Sequence, residues 1–217
     1  MRSESRFVFL ILAGWLCVAS IIGALGLFER ASALVVAISV WSLTALLLVA
    51  GWKIRSLHDW AMTIDRRWLV LFHVIRFVGF YFLYLCGRNQ LSCDFAYLAG
   101  FGDIFVAATA LLLLAVAADR TLRGSLALRR FYRILLMVWN TIGLIDIVVV
   151  VFTALRVGLK DWPSMAPLRV LPLSLLPTFL VPLIIASHIL IFVRLRSRRG
   201  VQVRGKLMKR QDASTTD

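Results

Sequence analysis

Arg76, Asp103 and Asp146 are ionisable residues that stand inside long apolar stretches of the sequence. A charged side chain in the hydrocarbon core of a bilayer is costly, so such residues face the protein interior, where they pair or bind a ligand. Arg76 lies about 13 Å inside its stretch by helical rise, too deep for its side chain to reach the headgroups. We therefore expect it to face a carboxylate. Two carboxylates around one guanidinium leave a negative charge that a proton or a cation balances.

A stripe of small residues runs along the stretch that contains Asp103. Its members recur at helical spacing: Ala96, Gly100, Asp103, Ala107 and Ala110. Small residues let helices approach closely within a membrane, so the stripe predicts a helix–helix contact. In the next stretch, Asn140 and Asp146 flank Gly143 within about a 120° sector, which predicts a narrow polar face. Arg76, Asp103, Asn140 and Asp146 are therefore the candidate binding residues.

His73 and His188 lie at similar depths in separate apolar stretches. Two histidines level with each other in a bundle can ligate a b-type haem, so the pair is a candidate cofactor site. The alternative is that each imidazole bonds a neighbouring backbone group or hydroxyl. No metal site is predicted, because the three cysteines lack the number and spacing of a metal cluster.

Catalytic templates are missing from the sequence. It contains no H-E-x-x-H, no G-x-S-x-G and no glycine-rich phosphate loop. No nucleophile stands beside a base at a readable spacing within the apolar stretches. We therefore expect that the protein is not an enzyme.

Six apolar stretches, each long enough to cross a bilayer, position these residues. The 217 residues are 61% hydrophobic, with a mean hydropathy of +0.88, which excludes an ordinary water-soluble domain. The predicted fold is an all-α transmembrane helical bundle over 1–193, followed by a basic tail over 194–217. The predicted spans are 7–28, 32–51, 68–86, 96–117, 132–155 and 170–193. The first span is longer than the apolar region of a cleaved signal peptide, so we expect it to be retained.

Basic residues are distributed unequally between the two ends of these spans. Most of the 25 Lys and Arg residues lie at one end. Because such residues accumulate on the cytoplasmic side, both termini are predicted to be cytoplasmic. The net charge of +14 reflects this asymmetry, and we do not expect nucleic-acid binding. The tail from Arg194 to Arg210 is expected to contact anionic lipid headgroups.

Three local features modify this bundle. Residues 53–67 have apolar side chains at helical spacing, which predicts an amphipathic helix on the membrane surface, with an ordinary helical loop as the alternative. Pro177 and Pro182 each remove a helical hydrogen bond, which predicts a simple kink, with a broken helix that lines a binding site as the alternative. We expect protein or water to cover the freed carbonyls. Cys86 and Cys93 flank one short loop, and the sequence leaves open whether they pair.

The chain resembles a group of small bacterial multispanning membrane proteins of unassigned function. The matching pieces are Arg76-x-x-Gly79, Ala99-Gly-Phe-Gly-Asp103, Trp139-Asn140-x-x-Gly143-x-x-Asp146, and Pro177-Thr-Phe-x-Val-Pro182 followed by His188. One departure is Leu91-Ser92, where the resemblance leads us to expect Leu-Pro. The resemblance implies a location in the bacterial inner membrane and a polar core at these positions. It implies no activity.

Three hypotheses for function follow. The first is an intramembrane site that binds or passes a small solute or protons, with Arg76 as the charge-balancing group and the two aspartates as titratable acceptors. The second is a structural or accessory subunit whose Arg–Asp cluster only locks helix packing. The third is a haem- or quinone-linked redox protein that uses His73 and His188.

Overall fold

The computed structural model describes residues 2–118 and 125–196. Regular structure in these two ranges is helical throughout. Across the described residues, six helices are long and apolar enough to cross a membrane, which is consistent with a multi-pass membrane protein. The predicted all-α architecture is therefore confirmed, and residues 197–217 of the predicted tail lie outside the described part.

The helices follow one another as antiparallel spans joined by short connections. Their bounds are α1 Arg2–Ala24, α2 Ala33–Lys53, α3 Arg55–Thr63, α4 Arg66–Phe72, α5 Val78–Gly87, α6 Cys93–Ala118, α7 Leu126–Lys160 and α8 Leu176–Arg196. A 3-10 turn, His73–Phe77, joins α4 to α5, so that Arg66–Gly87 forms one membrane-length helix. A second 3-10 turn, Pro163–Arg169, precedes α8, which opens with a π-helical turn, Leu176–Leu180.

Several helices begin or end at residues other than the predicted ones. The first ends at Ala24, where the predicted span ran to residue 28, since Gly26 adopts a φ of +64° that interrupts the helix. Helix α7 starts earlier than the predicted 132, because the Ser125 hydroxyl accepts a hydrogen bond from the Leu128 amide and caps it. The last helix starts after the predicted 170, because Pro172 lacks the amide hydrogen that a helix interior needs.

Three loops meet at one end of the bundle, which we call the disulfide end. Cys86 and Cys93 form the disulfide that the sequence left open. The Ser92 amide donates to the Ser164 carbonyl at 3.1 Å, a bond that the proline expected at position 92 could not make. The Trp162 indole donates to a carbonyl of the loop before α2, at 2.9 Å. These bonds join the connections before α2, α6 and α8.

The opposite end, which we call the basic end, is tied together by arginines. Arg194 donates to the Ile64 carbonyl at 2.6 Å, and Arg67 donates to the Ala117 carbonyl at 2.9 Å. The helix predicted over 53–67 is present as α3, and none of its residues is buried. Arginine side chains therefore join α8 to the residue after α3, and α4 to α6, where the spans end.

The core forms along the predicted stripe of small residues. Ala96, Ala107 and Ala110 are completely buried. Gly100 faces Gly79 so closely that a methyl group at position 79 would collide with the Gly100 carbonyl oxygen. The predicted helix–helix contact is confirmed, and α5 is the partner of α6.

Protein groups cover the carbonyls that the prolines leave without helical partners, as predicted. The Thr178 carbonyl, which Pro182 cannot bond, accepts from the Trp15 indole at 3.1 Å. The Leu173 carbonyl, to which Pro177 has no amide hydrogen to donate, accepts from the Leu176 amide at 3.0 Å. Helix α1 thus stabilises the irregular start of α8.

Candidate functional site

Arg76 lies at the centre of the bundle and is 1% exposed. It stands on the 3-10 turn His73–Phe77. Its Nε donates to Asp103 Oδ1 at 2.6 Å, and its Nη2 donates to Asp146 Oδ2. Its Nη1 donates to the Gly143 carbonyl at 3.2 Å. The expectation that Arg76 faces a carboxylate is confirmed, and both predicted aspartates meet it.

The backbone around this cluster explains why these side chains converge. Residues i and i+3 of a 3-10 helix are eclipsed, so His73 and Arg76 project to the same side of their turn. Gly102 lies directly under the Asp146 carboxylate, and a methyl group there would overlap its oxygen atoms. The predicted motifs therefore place glycine where α6 and α7 must leave room for the carboxylate.

The cluster combines one guanidinium with two carboxylates away from solvent. The Asp103 side chain is 6% exposed and that of Asp146 is 17% exposed. We call Asp103, Arg76 and Asp146 the triad. If both carboxylates were ionised, the triad would carry one uncompensated negative charge, which a low-dielectric interior opposes.

Asn140 and His188 form a second pair, on the side of Gly143 away from Asp146. The Asn140 side-chain amide donates to the His188 carbonyl at 3.0 Å, which fixes Oδ1 as the acceptor of that amide. His188 Nδ1 lies 2.9 Å from Oδ1 and must therefore carry the proton. In the neutral imidazole, His188 Nε2 then presents a lone pair, and it has no hydrogen-bond partner within the described residues.

His73 has a similar arrangement with Ser187. The Ser187 hydroxyl donates to the Ile184 carbonyl at 2.8 Å and lies 3.1 Å from His73 Nε2. Since a hydroxyl has one hydrogen, His73 Nε2 donates to it and Nδ1 keeps a lone pair. That Nδ1 is likewise without a partner in the part of the chain that the structure describes. The sequence does not identify Ser187 as the partner of His73, because serine is common in membrane helices.

The two imidazoles lie against each other. Their ring centroids are 4.2 Å apart, and the edge of Trp139 packs on His73 with centroids 5.1 Å apart. Axial histidines of a haem stand on opposite faces of the macrocycle, and rings in contact leave no room for it. The sequence correctly predicted that His73 and His188 have similar depths, but this geometry gives the haem hypothesis no support.

No group of three or more His, Cys, Asp or Glu side chains is placed to hold a metal ion within 2–118 and 125–196. The triad contains two carboxylates that could bind a metal ion, but both already accept hydrogen bonds from Arg76. The titratable groups gathered here are two carboxylates, on Asp103 and Asp146, and two imidazoles, on His73 and His188.

One family model matches residues 31–196 and is described as a domain of unknown function (DUF8737). The chain belongs to this family. The match includes the triad, both histidines and all helices after α1. Comparisons with curated proteins and with solved structures gave no match.

Proposed function

We propose that the protein is a multi-pass protein of the bacterial inner membrane whose triad takes up and releases one proton as protons, or protons with a small solute, cross the bundle. The observation that carries this proposal is the meeting of two carboxylates on one buried guanidinium. Binding one proton makes the triad electrically neutral, which is the favourable state in a medium of low dielectric constant.

The imidazoles supply acceptors for a proton that leaves the triad. His188 Nε2 lies next to Gly143, so close that a methyl group on that glycine would stand 2.9 Å from it. The Gly143 carbonyl in turn accepts from Arg76. The Nδ1 of His73, which has no partner among the described residues, belongs to the ring that contacts His188 at a tilt of 37°. Under the proposal, these two nitrogens, which have no hydrogen-bond partner among the described residues, accept a proton that leaves the triad.

A second candidate function is a purely structural clamp. Three nitrogens of Arg76 donate to groups on α6 and α7, so the guanidinium ties three membrane-length helices together. A clamp of this kind suits an accessory subunit, and it requires no proton exchange. The two candidates differ in whether Asp146 changes its protonation state.

Proton flux in liposomes distinguishes the two. The full chain is reconstituted with a pH-sensitive dye inside, and a potassium diffusion potential drives protons across the membrane. Asp146→Asn keeps the Arg76–Asp103 pair and its charge balance, so the variant should fold. Under the proposal its flux falls to the level of empty liposomes.

Asp94→Asn is the matched control, because Asp94 is an exposed aspartate of the same helix as Asp103. Its flux should equal that of the unmodified protein. Flux of Asp146→Asn at the control level, with the protein folded in detergent, would favour the clamp and refute the proton site.

The proposed orientation places the basic end in the cytoplasm and the disulfide end outside. Positive residues favour the cytoplasmic side, and a disulfide favours an oxidising compartment. The proposal includes contact between the basic tail and anionic lipid headgroups. A reporter enzyme that is active only outside the cytoplasm should be inactive when fused after Asp217 and active when inserted at Asn89. The reverse pattern would overturn this orientation.

A further inference from the structure

An elongated apolar cavity of about 90 Å³ lies between α2, the third membrane-length helix, α6, α7 and α8. On α7 its lining extends from Ile147 to Leu155, which corresponds to about 12 Å of helix. It is therefore long for its volume. This shape fits a linear hydrocarbon chain rather than a ring system.

The two ends of the cavity differ in charge balance. Arg76 and Asp103 lie at the deep end, where the guanidinium already meets two carboxylates. Arg169 lies at the disulfide end and is the last residue of the 3-10 turn before α8. Arg76 therefore has carboxylate counter-ions, whereas Arg169 has none within 4.0 Å among the described residues.

Arg169 is held by neutral groups. It donates to the Glu29 carbonyl at 2.8 Å and stacks on the Trp162 ring at 4.8 Å. Its Nε has no hydrogen-bond partner, and the guanidinium has no carboxylate within 4.0 Å, among residues 2–118 and 125–196. A half-buried guanidinium with a free Nε–H is suited to a planar oxyanion, since carboxylates accept from it in a bidentate manner.

We propose that this cavity binds the alkyl chain of a medium-chain fatty acid whose carboxylate pairs with Arg169. The apolar lining excludes water and favours the chain, and the uncompensated cation selects the anionic head. The tip of the chain would then lie against Arg76 and Asp103 and shield the triad from solvent. The site itself does not depend on the proposed function of the triad.

Photocrosslinking tests this site in the purified full chain. A fatty acid with a diazirine near its terminal methyl group should label peptides that contain Ile184 or Val181, which line the deep end. Excess unlabelled fatty acid should abolish the labelling, whereas an alcohol of equal chain length should compete at least tenfold more weakly. The proposal would be overturned if the alcohol competed with the probe as well as the fatty acid does, or if a phospholipid competed better. Labelling of exposed helix faces alone would also overturn it.

Two variants with matched controls locate the contacts. Ala37→Phe fills the cavity from α2, and Ala45→Phe places the same ring on an exposed position of that helix. Arg169→Gln removes the cation, and Arg156→Gln removes an exposed one near the same end. Ala37→Phe and Arg169→Gln should each weaken binding about tenfold or more, while both controls bind normally.

Arg169→Lys separates charge from structure, because it keeps the cation but not the planar fork. It should restore part of the affinity that Arg169→Gln loses. Asp146→Asn should bind the fatty acid normally even if it conducts no protons, so failure of one proposal is distinguishable from failure of the other. Normal binding by Arg169→Gln would eliminate the proposed headgroup contact.

Discussion

Arg76 and Arg169 line the same cavity, yet the two guanidinium groups have different partners. Arg76, midway along the membrane-length helix Arg66–Gly87, meets two carboxylates and a carbonyl. Arg169, at the disulfide end, meets two carbonyls and an indole ring. A charge at the centre of a bilayer demands ionic partners, whereas one near an end is stabilised by dipoles and solvent.

Under our two proposals, this difference gives the two ends of the cavity separate roles. The deep end has one more acidic group than basic groups and is suited to a proton. The disulfide end has a cation in excess and is suited to an anion. The predictions below test this contrast, beginning with the largest expected effect.

Arg76→Gln should destabilise the protein most. It leaves two buried carboxylates without a counter-ion, which costs about 3–5 kcal/mol. The free energy of unfolding in mixed micelles measures this cost. Adding Asp103→Asn should recover part of it, because the second change removes one unpaired charge. Strictly additive effects of the two changes would show that the residues do not interact.

Gly102→Ala should push the Asp146 carboxylate away from Arg76. Crowding of this kind costs about 1–3 kcal/mol in packed interiors, even though alanine favours helix formation. The control is Gly87→Ala, at a glycine with open space around it. Proton flux in liposomes should fall in the first variant and stay normal in the second. A Gly102→Ala protein with full stability and full flux would contradict the assigned position of Asp146.

Arg169→Gln should cost far less stability than Arg76→Gln. The change removes two hydrogen bonds to carbonyls, each worth about 1 kcal/mol. It leaves no carboxylate without a counter-ion. We therefore expect a loss of about 1–2 kcal/mol in mixed micelles. Equal destabilisation by Arg76→Gln and Arg169→Gln would remove the contrast between the two ends.

Trp15→Phe should have the smallest effect. It keeps an aromatic ring beside Phe179 but removes the hydrogen bond to the Thr178 carbonyl. The expected loss is about 0.5–1.5 kcal/mol in the free energy of unfolding. Trp68→Phe, at an exposed tryptophan, is the control and should change little. If both substitutions have the same effect, the Trp15 bond does not stabilise the start of α8.

The sequence predicted those features that depend on composition and depth. Six spans follow from hydropathy, and the partnership of Arg76 with Asp103 follows from the cost of an isolated charge in the membrane. The stripe around Gly100 predicted close packing, which the contact with Gly79 confirms. The similar depths of the two histidines were also predictable from helical rise.

Features that depend on how distant segments pack could not be predicted. The 3-10 turn His73–Phe77 contains no proline or glycine to indicate it. Ser187 and Trp15 meet their partners only after the helices dock. The place of Arg169 beside a cavity could not be predicted either, because it depends on how several helices are arranged.

Infrared spectroscopy tests the central claim most directly, since a protonated carboxyl group has a carbonyl band distinct from that of a carboxylate. In the purified protein at neutral pH we predict one such band from the triad, shifted in heavy water. It should disappear in Asp146→Asn and in Asp103→Asn, where one carboxylate balances Arg76 without a proton, and it should persist in Asp94→Asn. A spectrum without this band, or one that neither triad variant changes, would contradict the account.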